Sequence, residues 1–139
     1  MSATLLPLLV LDTNIVLDVF VFSDAAAQPV RDALAADDWD WIATQPMRVE
    51  LERVLCYPKI VPRLAFYQLS AADVLAHFDA HARLLPVPAK APVTCSDADD
   101  QMFIDLAVAQ RSTLLSKDKA VTSMQKRLLS LGVRVQKTL

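Results

Sequence analysis

Short, largely apolar runs that stop at an acid constrain this chain more than any other feature of it. Leu8-Leu9-Val10-Leu11 stops at Asp12, and Thr113-Leu114-Leu115-Ser116 stops at Lys117-Asp118. Runs of this kind read as strands buried on both faces of a parallel sheet, although a run as short as Leu8–Leu11 can also open a helix. Between them the apolar spacing turns helical. Asp12-Thr13-Asn14 supplies cap-type residues for a helix over Ile15 to Phe22, and Pro29 suits the first turn of a second over about Gln28 to Asp37. Trp39 to Ala43 reads as strand two. Pro46 starts a helix over Met47 to Tyr57 and Pro58 stops it.

In the second half, Ser70 with Asp73 three residues on forms a capping box for a helix whose stripe is Val74, Leu75, Phe78 and Leu85. The proline-rich stretch from Leu85 to Pro92 predicts only a short edge strand, because proline cannot donate to an inner ladder. Ser96 or Asp97 caps a helix to about Gln110, with Phe103, Ile104, Ala107 and Val108 inward. Val121 to Leu131 reads as a last helix, Gly132 as its left-handed terminus, and Val133 to Val135 as a final strand. The β-α alternation predicts an α/β fold around a parallel sheet, and 139 residues, 54% of them hydrophobic, predict one domain over 1–139.

Gly132 is the single glycine, so glycine-rich phosphate loops and dinucleotide fingerprints are excluded. No apolar run reaches the length of a membrane span, and Met1-Ser2-Ala3-Thr4 lacks the basic start of an export signal. Cys56 and Cys95 fit no metal pair and no disulfide framework, which predicts a reducing, cytoplasmic setting. A mean hydropathy of +0.32 exceeds what so small a core absorbs and predicts a homodimer. The net charge of −2 excludes a generally basic coat for nucleic acid. Its distribution is uneven: acids dominate from Leu11 to Trp41, whereas Lys117, Lys119, Lys126 and Arg127 gather near the other end. These four residues are either solvated helix faces or a rim for RNA phosphates.

Ligands of open parallel sheets bind beyond the carboxyl ends of the strands, where Asp12 and Asp118 stand. Glu50 and Asp100, near the starts of two helices, can join them if the strands are neighbours. Glu52, two positions from Glu50, faces about 200° away. Carboxylates that converge without a lysine or arginine repel one another and persist with a hard divalent cation, Mg²⁺ or Mn²⁺, the usual apparatus for phosphodiester hydrolysis.

The blocks Val10–Asn14, Val49–Leu55, Asp97–Phe103 and Leu114–Asp118, in this order and spacing, resemble the four acidic blocks of PIN-domain nucleases, over about residues 8 to 135. The branch most similar holds the toxins of toxin–antitoxin systems. The resemblance implies a three-layer α/β/α sandwich, with Asp12, Glu50, Asp100 and Asp118 as catalytic metal-binding acids. It further implies Asn14 and Ser116 as polar supports, assistance from Asp97 and Asp99, an RNA substrate, and a small antitoxin seated in the acidic crevice. The chain departs from many relatives at Lys117, where they carry a small residue, and at Ala120, where they carry a further acid.

Each block alone has an ordinary explanation. Asp12, Thr13 and Asn14 are N-cap types, Asp97, Asp99 and Asp100 suit a helix N-terminus, and Glu50 suits an exposed helix face. His77 and His81 are four apart without the glutamate of HExxH, and Trp39 and Trp41 fit packing better than base stacking. Three functions remain: a metal-dependent endoribonuclease and toxin, a catalytically weakened module for RNA binding or docking, and a phosphatase. The last wants an acid where Asn14 stands.

Overall fold

The structure, a computed structural model, describes residues 6–22 and 24–139. Met1 to Thr4, read above for an export signal, lie outside them. Five parallel strands form one sheet: β1 (Leu8–Leu11), β2 (Asp40–Ala43), β3 (Arg83–Leu84), β4 (Thr113–Leu115) and β5 (Arg134–Gln136), in the order β3-β2-β1-β4-β5. Leu9, Val10 and Leu11 are all buried although successive side chains point to opposite faces, so helices cover the sheet on both sides. This is the α/β sandwich expected.

The strand order places the site. From β1 the chain moves outward to β2 and β3, then returns to lay β4 on the other side of β1. The order reverses between β1 and β4, which is where open α/β sheets bind their ligands. Leu11 pairs with Leu115, and the Asp12 amide donates to the Leu115 carbonyl at 3.2 Å, so the acids that follow the two strands share one crevice.

The helices are α1 (Thr13–Phe20), α2 (Gln28–Ala35), α3 (Gln45–Val54), α4 (Val61–Phe66), α5 (Ala71–His81), α6 (Gln101–Gln110), α7 (Lys119–Thr122) and α8 (Gln125–Ser130). The capping box of α5 forms as read, with Ser70 N donating to Asp73 Oδ2 at 2.8 Å and Asp73 N to Ser70 Oγ at 3.1 Å. Several details differ from the sequence reading. Helix α3 ends at Val54, three residues short of Tyr57, and the chain turns from there. Helix α4, with Pro62 in its first turn, was not anticipated between the Pro58 stop and Ser70. The edge strand lies at Arg83–Leu84 rather than within 85–92. Its ladder closes with Leu85 N on the Ala43 carbonyl, and Pro86 has no N–H to extend it. The last helix begins early, capped by Asp118, and breaks between Thr122 and Gln125 into α7 and α8.

Gly132 ends this region with φ +87°, and a Cβ there would meet Arg111 Cγ at 3.3 Å, so conformation and space both select glycine. Trp41 is packed among Phe20 and Phe78, and His77 and His81 stack with Phe20. No helix among the described residues is long and apolar enough to cross a membrane.

Candidate metal centre

Three aspartates at the crevice spend one oxygen each on their own backbone. Asp12 Oδ1 accepts from Ile15 N at 2.9 Å and caps α1, Asp97 Oδ1 accepts from Asp99 N at 3.0 Å, and Asp118 Oδ1 accepts from Ala120 N at 2.9 Å and caps α7. Capping and site formation are thus the same act: the short side chain is locked by a local bond. This accounts for aspartate rather than glutamate at these positions.

Carboxylate oxygens of Asp97, Asp100 and Asp118 lie within 4.8 Å of one another. Asp100 Oδ2 is shielded from solvent and has no hydrogen-bond partner, an arrangement that costs free energy unless something binds there. Burial first, then the Asp118 carboxylate beside it, pushes the Asp100 carboxyl up to about 7. Asp12, 3% exposed, is pushed up to about 6, again chiefly by burial, while the Ser116 hydroxyl and the Ile15 amide oppose the rise. A hard divalent cation satisfies all of these conditions: it takes oxygen ligands, restores charge to buried carboxylates and pairs the orphaned oxygen.

Around this cluster runs a crevice of about 320 Å³, whose wall includes Asp12, Thr13, Asn14, Glu50, Asp97, Asp99, Asp100 and Asp118. Glu50 is held across it by Thr13, whose hydroxyl donates to Glu50 Oε2 at 2.6 Å. Ser116 is fully buried and accepts from the Asp118 amide at 3.1 Å. The acids named from sequence are therefore gathered on one wall. Asp97, read there as an assistant, is part of the tight cluster, whereas Asp12 and Glu50 stand beside it.

Residues 8–120 match the family model described as PIN domain. The chain belongs to the PIN-domain family. No curated protein matches it significantly. PIN domains are generally metal-dependent nucleases that bind divalent metals, and this PIN domain has the acidic cluster to hold one.

The basic residues are disposed less simply. Lys117 forms an ion pair with Asp18, a mostly buried acid of α1 one turn beyond Asn14, and this pairing raises the lysine pKa. Its charge is drawn onto Asp18. Among the described residues, Lys117, Lys119, Lys126 and Arg127 are absent from the crevice wall, and the last three have no ion-pair partner. At Ala120 the backbone is occupied: its carbonyl accepts from the buried Cys95 thiol at 3.5 Å and from the Ser123 hydroxyl. Sequence reasoning missed Thr13 as the tether of Glu50, Asp18 as the partner of Lys117, and Tyr57 and Lys59 on the crevice wall. Thr13 sat within a recognised block. Tyr57 was read as the end of a helix that in fact stops at Val54, and Lys59 lies in the irregular turn beyond Pro58, which carried no signal for a site.

Proposed function

We propose that this PIN domain is an endoribonuclease that uses Mg²⁺ or Mn²⁺ to hydrolyse RNA phosphodiesters, and that it acts in the cytoplasm as the toxin of a toxin–antitoxin pair. The observation that carries the nuclease reading is the Asp97, Asp100 and Asp118 cluster, with the buried and unpartnered Asp100 Oδ2, on the wall of a crevice that also holds Asp12 and Glu50. Asp97, Asp100 and Asp118 would hold the cation, joined by Asp12. A bound cation would supply Lewis-acid stabilisation of developing phosphoryl charge and would lower the pKa of a water toward neutrality.

The chain's own side chains do the rest. Thr13 holds Glu50 Oε2 and the Arg53 guanidinium stands 4.0 Å from Oε1, so the Glu50 carboxylate is kept at the crevice, where it would join the ligands of the cation. The backbone caps on Asp12 and Asp118 hold both carboxylates in one orientation, so little reorganisation accompanies the reaction. Pairing with Asp18 keeps the Lys117 ammonium from neutralising Asp118, which favours an active site over the weakened module.

The toxin role and the antitoxin partner rest on the resemblance of the four acidic blocks. They predict a short open reading frame encoding a DNA-binding domain directly upstream of the gene. The nuclease reading is tested by cleavage of single-stranded RNA by the purified chain. EDTA silences it, Mn²⁺ or Mg²⁺ restores it, and Ca²⁺ does so poorly because its looser shell positions water less well. Equal cleavage in EDTA overturns the assignment.

A further inference from the structure

Lys59 is the one basic residue on the wall of the acidic crevice among the described residues. It stands there with Tyr57, on the turn between α3 and α4, in a crevice whose carboxylates would repel any polyanion. The turn is stiff. Cys56 N and Tyr57 N donate to the Arg53 and Val54 carbonyls, and the Tyr57 carbonyl accepts from both Ile60 N at 2.9 Å and Val61 N at 3.0 Å. Pro58 fixes one further backbone angle. Lys59 makes no ion pair among the described residues, so its charge is available. Tyr57 is 45% exposed, an aromatic left half open beside a cation.

A second cavity of about 480 Å³ adjoins the crevice, sharing Glu50 and Asp99 with it and carrying Arg53 on its own wall. The two cavities meet at Glu50 and Asp99, with Lys59 on the wall of one and Arg53, which lies 4.0 Å from Glu50 Oε1, on the wall of the other. A cation beside an aromatic, along a groove, is the combination that holds a nucleic-acid strand with splayed bases: charge for the backbone, a ring face for a base.

We propose that Lys59 and Tyr57 clamp the single-stranded RNA substrate, Lys59 binding a phosphate that neighbours the scissile one and Tyr57 stacking on the adjoining base. The clamp rests on the nuclease reading for its substrate, and it explains how a crevice lined with carboxylates retains a polyanion. It also selects single strands, because bases within a duplex present no free face to Tyr57.

The test is binding of a fluorescently labelled single-stranded RNA to the full chain across a salt series, with Ca²⁺ present to limit cleavage. Lys59→Ala is expected to weaken binding and flatten the salt dependence by about 0.7 in log–log slope, and Lys59→Arg to retain both. Tyr57→Ala is expected to weaken binding roughly tenfold at unchanged slope, with Tyr57→Phe near wild type. Unchanged melting temperatures separate these effects from misfolding, and Lys59→Gln replaces any alanine variant that unfolds. Wild-type affinity and slope in Lys59→Ala overturn the clamp, as does a loss confined to the Lys126→Ala, Arg127→Ala double variant. A wild-type chain that binds RNA in this Lys59-dependent way but never cleaves it with Mn²⁺ defeats the nuclease reading and leaves the clamp standing. A chain that binds no RNA defeats both.

Discussion

The hydroxyl of Thr13 donates to Glu50 Oε2 at 2.6 Å and ties the first turn of α1 to the middle of α3 across 37 residues. Glu50 has more rotatable bonds than the aspartates around it and no backbone cap, and its other contact, Arg53 at 4.0 Å from Oε1, is long and solvent-exposed, so the Thr13 bond does most to orient it. Thr13→Val is expected to lower metal affinity by about 10–100-fold, the usual cost of losing a residue that orients a ligand. Thr13→Ser, which keeps the hydroxyl, is expected to stay near wild type. Titration of Mn²⁺ followed by calorimetry measures both, and equal affinity in Thr13→Val refutes the tether.

Asp12→Asn keeps the α1 cap, because the amide oxygen still accepts from Ile15 N, and removes a buried charge that burial disfavours. RNA cleavage is expected to vanish while the melting temperature of the metal-free protein stays equal or rises. Cleavage at the wild-type rate would remove Asp12 from the machinery.

With Asp12 raised to about 6 and Asp100 to about 7, both carboxyls hold protons more tightly folded than unfolded. The folded state therefore binds more protons, and stability of the metal-free protein is expected to fall as pH rises from about 4 to about 7, by about 3 kcal/mol for Asp12 alone. Below that window Asp73 and Asp79, lowered by the Ser70 cap and by Arg48, work in the opposite sense and lose their contribution as pH falls. Added Mn²⁺ recovers the cost of the charged forms, so the thermal shift it produces is expected to grow between pH 5 and pH 7.5, within the interval over which these carboxyls ionise. A shift independent of pH would mean that the metal binds elsewhere.

Lys117→Ala strands Asp18, whose side chain is 12% exposed, without its counter-ion. A loss of about 1–3 kcal/mol is expected, below that of a fully buried pair because the lysine is 44% exposed. Asp18→Asn combined with Lys117→Met is expected to recover most of it. Urea unfolding of the three variants decides, and a double variant as unstable as Lys117→Ala would show that charge is not the cause.

Val61, 49% exposed, lines a groove of about 400 Å³ with Leu55, Leu64 and Leu69, and Phe66, 79% exposed, ends the same helix α4. Apolar surface of this kind favours association, and light scattering is expected to give twice 15.3 kDa, with Phe66→Glu returning the chain to a monomer. A monomer at every concentration would refute the homodimer.

The sequence by itself determined what depends on neighbours along the chain. The buried runs ending at Asp12 and Asp118, the Ser70–Asp73 capping box and the left-handed turn at Gly132 were legible because backbone hydrogen bonding and side-chain period are local. Three of the four acids were legible from position, since Asp12, Asp100 and Asp118 sit where a strand ends or a helix starts, whereas Glu50, in the middle of α3, was singled out by the resemblance of its block. Only the tertiary structure decided who meets whom. The pairing of β4 with β1, Asp97 joining Asp100 and Asp118, Thr13 reaching Glu50, Lys117 turning onto Asp18, and Lys59 lining the crevice all follow from strand order and helix packing. Such contacts join residues far apart in the chain, and no spacing within a single segment encodes them. The break between α7 and α8 was hidden because apolar spacing from Val121 to Leu131 runs on unbroken, whereas the early cap on Asp118 starts the helix out of step with it.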